Sequence, residues 1–170
     1  LFAVLSAVCV GARSVDHWVS SAPVLALETP VSAELLDRDG QLLHARMVEN
    51  GRWRLRVAPD QVDPTYIAML LAFEDRRFQQ HSGVDVRALL RAAWQMLRHG
   101  RAVSGGSTLT MQVVRLLSPE TPTRSLAGKL QQIRSALALE RRLSKAEILA
   151  LYLHRAPFGA NLEGVRSASY

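Results

Sequence analysis

The stretch Met69–Asp85, MLLAFEDRRFQQHSGVD, decides how the chain is read. On a helix of 3.6 residues per turn, Ile67, Leu70, Leu71, Glu74 and Phe78 fall in one narrow stripe, and His81 continues it if the helix persists. Glu74 therefore stands in the middle of an apolar face. Adjacent helical residues diverge by about 100°, so Asp75, Arg76 and Arg77 point elsewhere and Asp75 cannot share the same cleft position. Two readings of Glu74 are open at this point. It is a capped or salt-bridged structural acid, or it is a carboxylate whose pKa burial raises, able to take a proton from a substrate hydroxyl.

Working outward, Asp63-Pro64 supplies an N-cap and a proline at the first helical position, and Gly83 ends the region. Asp85 caps a second helix, VRALLRAAWQMLRH, which Gly100 closes. VSGGSTLTMQVVRLL predicts a glycine turn, a cap at Ser107 or Thr108 and a short helix. TRSLAGKLQQIRSALALERRL predicts a longer amphipathic helix with Leu126, Leu130, Ile133, Ala136 and Leu137 inward. Ser144–Glu147, SKAE, is a capping box for ILALYLHR. Upstream, Asp39-Gly40 and Asn50-Gly51 break short apolar runs, which predicts a small antiparallel ribbon across residues 31–57. Residues 13–30 read as a linker. The expected fold is mainly α with a small β ribbon near the N-terminus.

The 170 residues, 48% hydrophobic and 21% charged, suit one globular domain with appendages. A net charge of +6 favours an anionic partner: nucleic acid, a membrane surface or a phosphorylated substrate. Basic residues are not interleaved with stacking aromatics, which argues against nucleic acid. Cys9 is the single cysteine, so no internal disulfide forms. Residues 1–12, LFAVLSAVCVGA, carry no charge but fall short of the about 20 apolar residues that span a bilayer. They are expected to be the remainder of a membrane anchor or signal segment, with a packed N-terminal helix as the alternative. The C-terminus reads as a domain cut short.

Among chemical motifs, the sequence holds no metal-ligand cluster, phosphate loop or dinucleotide fingerprint. Ser107 has no nearby histidine in a hydrolase setting. The SGGST turn either caps a helix or offers N–H groups and hydroxyls to a phosphate or sugar oxygen. Arg124, Lys129 and Arg134, on and near the long helix, are solvated or serve a diphosphate leaving group.

Together these motifs resemble glycosyltransferase family 51, the peptidoglycan glycosyltransferase domain of class A penicillin-binding proteins, and within it the 1C branch. EDRRFQQHSG matches the first family motif at Glu74, Asp75, Phe78, His81 and Gly83. GGSTLTMQ matches the second at Gly105, Gly106, Ser107, Thr108 and Gln112. SKAEILALYL and APFGAN are similar to the later motifs.

The resemblance implies a lysozyme-like fold with a membrane-associated hydrophobic lobe, in a domain over residues 31–170. It implies polymerisation of lipid II outside the bacterial cytoplasmic membrane, from a single-pass anchor. Glu74 would deprotonate the acceptor 4-hydroxyl, which attacks the anomeric carbon with inversion as undecaprenyl diphosphate leaves. Asp75, Phe78, His81 and Gly83 would shape the site. Ser107, Thr108 and Gln112 would bind donor sugar or phosphate, and Arg124 and Lys129 the diphosphate.

The implied partners are lipid II, the growing glycan chain, the membrane and other cell-wall synthesis proteins, with no nucleic acid. Some members use a divalent cation (Mg or Mn), which this sequence does not declare. Two residues depart from the family pattern: Gln132 stands where Glu is usual, and His154 where Asn is usual. The alternatives are a lysozyme-like muramidase acting through a similarly buried Glu, and a non-catalytic membrane-anchored module that binds cell-wall precursors.

Overall fold

The computed structural model describes residues 2–101, 105–120 and 125–170, with side chains from Val10 onward. It is mainly α, and local chemistry sets most helix boundaries. Helix α1 is Phe2–Ser20. Helix α2 (Pro64–Glu74) opens where Asp63 Oδ1 accepts from the Thr65 N–H at 2.7 Å, with Pro64 at the first position. Helix α3 (Val86–His99) is capped by Asp85, which accepts from the Ala88 N–H at 3.1 Å, and Gly100 closes it at φ 64°. Helix α4 (Leu109–Leu117) is capped by Thr108 and α5 (Leu126–Glu140) by Ser125. The expected capping box opens α6 (Lys145–Arg155), with the Ser144 N–H donating to Glu147 at 2.7 Å. A last short helix, α7, is Val165–Ala168.

These elements form two compact units, Leu1–Leu25 with His81–Leu143, and Ala26–Gln80 with Ser144–Tyr170. In the first unit α4 packs on α5, and the core holds Leu109, Met111, Val113, Val114, Ala136 and Leu139. Helix α1 runs along α5 and is fastened by two arginines. Arg134 donates to the Trp18 carbonyl at 2.6 Å and to Ser21 Oγ at 2.8 Å, with its guanidinium 5.6 Å from the Trp18 ring centre. Arg141 pairs with Asp16 at 2.8 Å.

In the second unit β1 (Ala33–Leu36) and β2 (Leu42–Arg46) form the expected hairpin, in register Glu34 opposite Ala45. Asp37 Oδ1 holds the turn by accepting from the Asp39 and Gln41 N–H groups. β3 (Trp53–Arg54) pairs in parallel with β4 (Leu162–Glu163). Arg54 is 2% exposed; its Nε donates to Glu163 at 2.8 Å and its Nη1 to the Pro30 carbonyl at 2.7 Å. Arg166 pairs with Glu34 at 2.7 Å, and α6 buries Ile148, Leu149, Tyr152 and Leu153.

Four expectations change. The linker expected from residue 13 is helical as far as Ser20, because Arg134 and Arg141 hold that stretch on α5. The ribbon across 31–57 is a hairpin over 33–46, and β3 leaves it for β4 because the buried Arg54 needs the carboxylate of Glu163. Helix α2 stops at Glu74, so Phe78 and His81 do not continue its stripe. Helix α5 is turned: Leu126 and Leu130 are exposed, Ile133 and Leu137 half-buried, and the interior face is Gly128, Gln132, Ser135, Ala136 and Leu139. Of the five positions expected inward, only Ala136 is fully buried. Small side chains on that face permit close approach. A Cβ on Gly83 would lie 2.6 Å from the Ala136 carbonyl oxygen.

Candidate active site

Glu74, Asp75 and Phe78 belong to the second unit. Glu74 is the last residue of α2 and half-buried. It sits at the negative end of the helix dipole, where a carboxylate is disfavoured. Asp75 caps the helix with φ −157°, its N–H donating to the Leu71 carbonyl, and is 7% exposed. Its own carbonyl accepts from the Phe78 N–H at 2.9 Å, starting a 3-10 turn over Phe78–Gln80. That turn buries Phe78 to 1% exposure, with the Lys145 ammonium 4.4 Å from its ring centre.

The remaining described candidates belong to the first unit. His81 is half-buried, and Gly83 takes φ 88°. The Thr108 hydroxyl donates to the Gly83 carbonyl at 2.6 Å and accepts from the Met111 N–H at 3.2 Å. With 2% exposure, Thr108 therefore frames the turn. Ser107 beside it is half-buried, and its hydroxyl is not tied into the turn but accepts from Lys129. Gln112 is half-buried on α4, its N–H donating to the Thr108 carbonyl at 3.0 Å. Arg124 lies outside the described residues.

Lys129 reaches Ser107 from α5. Its Nζ donates to Ser107 Oγ at 2.6 Å and to Gln132 Oε1 at 3.1 Å, and Gln132 Nε2 donates to the Met111 carbonyl at 2.6 Å. Partial burial and the nearby Arg115 charge lower the Lys129 pKa from its ordinary value. The arrangement offers an ammonium beside a hydroxyl at a helix start, which suits a phosphate oxygen. It does not suit Mg or Mn: the ammonium occupies the place, and its two described partners are neutral oxygens rather than carboxylates. Among the described residues no three His, Cys, Asp or Glu side chains group to hold a metal ion.

Periodicity placed Gln132 on no interior face; it is 3% exposed. Its spacing of three from Lys129 was the available signal, since i and i+3 share a face. Arg134, expected as a solvated or substrate-facing cation, fastens α1 instead.

The chain matches the transglycosylase family over residues 39–170. It is 50% identical over 133 residues to penicillin-binding protein 1C of Escherichia coli (strain K12), covering 78% of this chain and 17% of that protein. It is 37% identical over 145 residues to penicillin-binding protein 1A of Pseudomonas aeruginosa, covering 84% of this chain and 17% of that protein. It is also 34% identical over 140 residues to penicillin-binding protein 1A of Aquifex aeolicus, covering 82% of this chain and 19% of that protein. The chain thus spans less than a fifth of the length of these relatives.

Proposed function

The chain belongs to the transglycosylase family, and from that premise we propose that it serves a peptidoglycan glycosyltransferase that polymerises lipid II into glycan strands. Glu74 takes the proton of the acceptor 4-hydroxyl. The freed oxygen attacks the anomeric carbon of the lipid-linked chain from the opposite face. The anomeric C–O bond breaks, its electron pair goes to the departing undecaprenyl diphosphate, and the sugar inverts. Lys129, with Ser107 beside it, meets the negative charge that grows on the diphosphate. Asp75 caps the helix that carries Glu74, and the Gly83 carbonyl holds the Thr108 hydroxyl at the start of α4.

The observation that carries this reading is the placing of Glu74, a half-buried carboxylate at the end of α2 where the helix dipole opposes it.

The same proposal places the protein at the extracytoplasmic face of the cytoplasmic membrane. No helix among the described residues is long and apolar enough to cross a membrane. Support comes from α3, which buries no residue. Val86, Leu90, Trp94 and Leu97 fall within about 80° of helix surface and are all exposed, Leu97 to 86%. Arg87, Arg91 and Arg98 flank them, and the Arg98 guanidinium lies 5.2 Å from the Trp94 ring centre. An apolar helix face flanked by arginines is the pattern of a helix lying in the lipid headgroup region.

The test is Glu74→Gln in the full-length protein with labelled lipid II. Polymerisation is expected to vanish while lipid II binding persists. Polymerisation at the wild-type rate refutes the role of Glu74, and shortening of added glycan instead of polymer growth identifies a muramidase.

A further inference from the structure

The contacts of Gln132 assign it a task within the diphosphate site, an inference that rests on the proposed function. Its amide is buried at 3% exposure and bonded at both ends. Nε2 donates to the Met111 carbonyl and Oε1 accepts from the Lys129 ammonium. The network fixes this orientation, because the flipped amide would set its NH2 against the ammonium and its oxygen against the carbonyl. Lys129 is thereby held from one side by Gln132 and from the other by Ser107, both neutral. An ammonium has three protons, and two are committed to these partners. Arg115 on α4 adds a further positive charge nearby.

We propose that Gln132 is a positioning residue that aims the third N–H of Lys129 at the leaving diphosphate while leaving its charge whole. A carboxylate at position 132 would hold the lysine as well, but would neutralise it. It would also lose the bond to Met111, since a carboxylate cannot donate. The amide is the side chain of this size that tethers without cancelling. The effect is greatest in the transition state, because the diphosphate gains a negative charge as the anomeric bond breaks.

The experiment compares wild type, Gln132→Glu and Gln132→Met in the full-length protein. It reads kcat and KM for lipid II, inhibition by inorganic pyrophosphate, and the unfolding midpoint. With one charged group in the site cancelled, Gln132→Glu is expected to lose about tenfold or more in kcat, with KM rising less than about threefold. Pyrophosphate should inhibit it about tenfold more weakly. Gln132→Met keeps the charge but frees the lysine, so kcat falls while pyrophosphate inhibition stays within about threefold of wild type.

Wild-type kcat and pyrophosphate inhibition in Gln132→Glu overturn the proposal. So does a loss of kcat that follows only the unfolding midpoint, with pyrophosphate inhibition unchanged. A wild-type protein that forms no polymer refutes the glycosyltransferase reading instead. Pyrophosphate protection against unfolding, lost in Gln132→Glu and kept in Gln132→Met, still reads the role of Gln132 in that case.

Discussion

Replacing Gly83 with alanine probes the closest backbone approach in the first unit. Gly83 has φ 88°, and an added Cβ would meet the Ala136 carbonyl oxygen at 2.6 Å, its carbon at 2.8 Å and the Leu137 nitrogen at 3.1 Å. All three are helix backbone atoms of α5, which cannot swing aside as a side chain can. The left-handed conformation alone costs an alanine about 1–2 kcal/mol. Overpacking against fixed atoms adds about 1–3 kcal/mol. A total of about 3 kcal/mol corresponds to a fall of roughly 6–12 °C in Tm for a domain of this size.

Gly100 supplies the control. Its φ is 64°, but nothing lies within 4 Å of an added Cβ. Gly100→Ala should therefore cost only about 1–2 kcal/mol, from conformation alone. Urea unfolding of both variants measures the difference. Equal midpoints for the two would refute the claim that α5 presses on Gly83. Because the Gly83 carbonyl accepts from Thr108, Gly83→Ala should also disturb the start of α4 and slow turnover beyond its effect on stability.

Two further expectations follow from surface and charge. On the proposed membrane role of α3, Trp94→Glu with Leu97→Glu should weaken binding to vesicles of anionic phosphatidylglycerol by about tenfold or more, since each side chain would bury apolar area in lipid. Both side chains are exposed, so stability should hold; co-sedimentation equal to wild type would refute the membrane role of α3. Burial lowers the His154 pKa below its ordinary 6.5, with Arg54, Arg56 and Arg155 adding to the shift. The unfolded chain then binds a proton that the folded chain refuses, so stability falls as pH drops from 6.5 toward the folded pKa and levels off below it. Denaturant midpoints across pH 4–8 should show this slope flattened in His154→Asn, and an unchanged slope would exclude His154 as its source.

What the sequence made legible was local. Asp63-Pro64, Asp85, Gly100 and the Ser144–Glu147 box each act within four residues, and each sits where the pattern placed it. The same holds for the Asp37–Gln41 turn. Partners far apart in the chain were not legible. Nothing near Trp53 announces that β3 pairs with Leu162–Glu163, or that Arg54 finds its carboxylate 109 residues away. Apolar periodicity failed on α5 because it assumes that leucine faces inward. There, close contact with Gly83 favours small residues, and Lys129 and Ser107 make Gln132 worth burying. Among the candidate residues the motifs single out Glu74 and Ser107 and the long-helix pattern Lys129, while the different bonding of Ser107 and Thr108 required knowing where the Thr108 hydroxyl goes.

The turned face of α5 has a geometric consequence. Leu126 and Leu130 look outward on either side of Lys129 in the sequence, so the cation and the apolar contacts share one rigid turn. At about 1.5 Å of rise per residue, Lys129 lies no more than about 5 Å along the axis from either leucine. Were that face to rest in lipid as proposed for α3, α5 would act as a depth gauge. The height at which the leaving diphosphate is held above the acyl chains would be set by helix pitch and not by a flexible loop, and a carrier lipid could give up its sugar without being lifted clear of the bilayer.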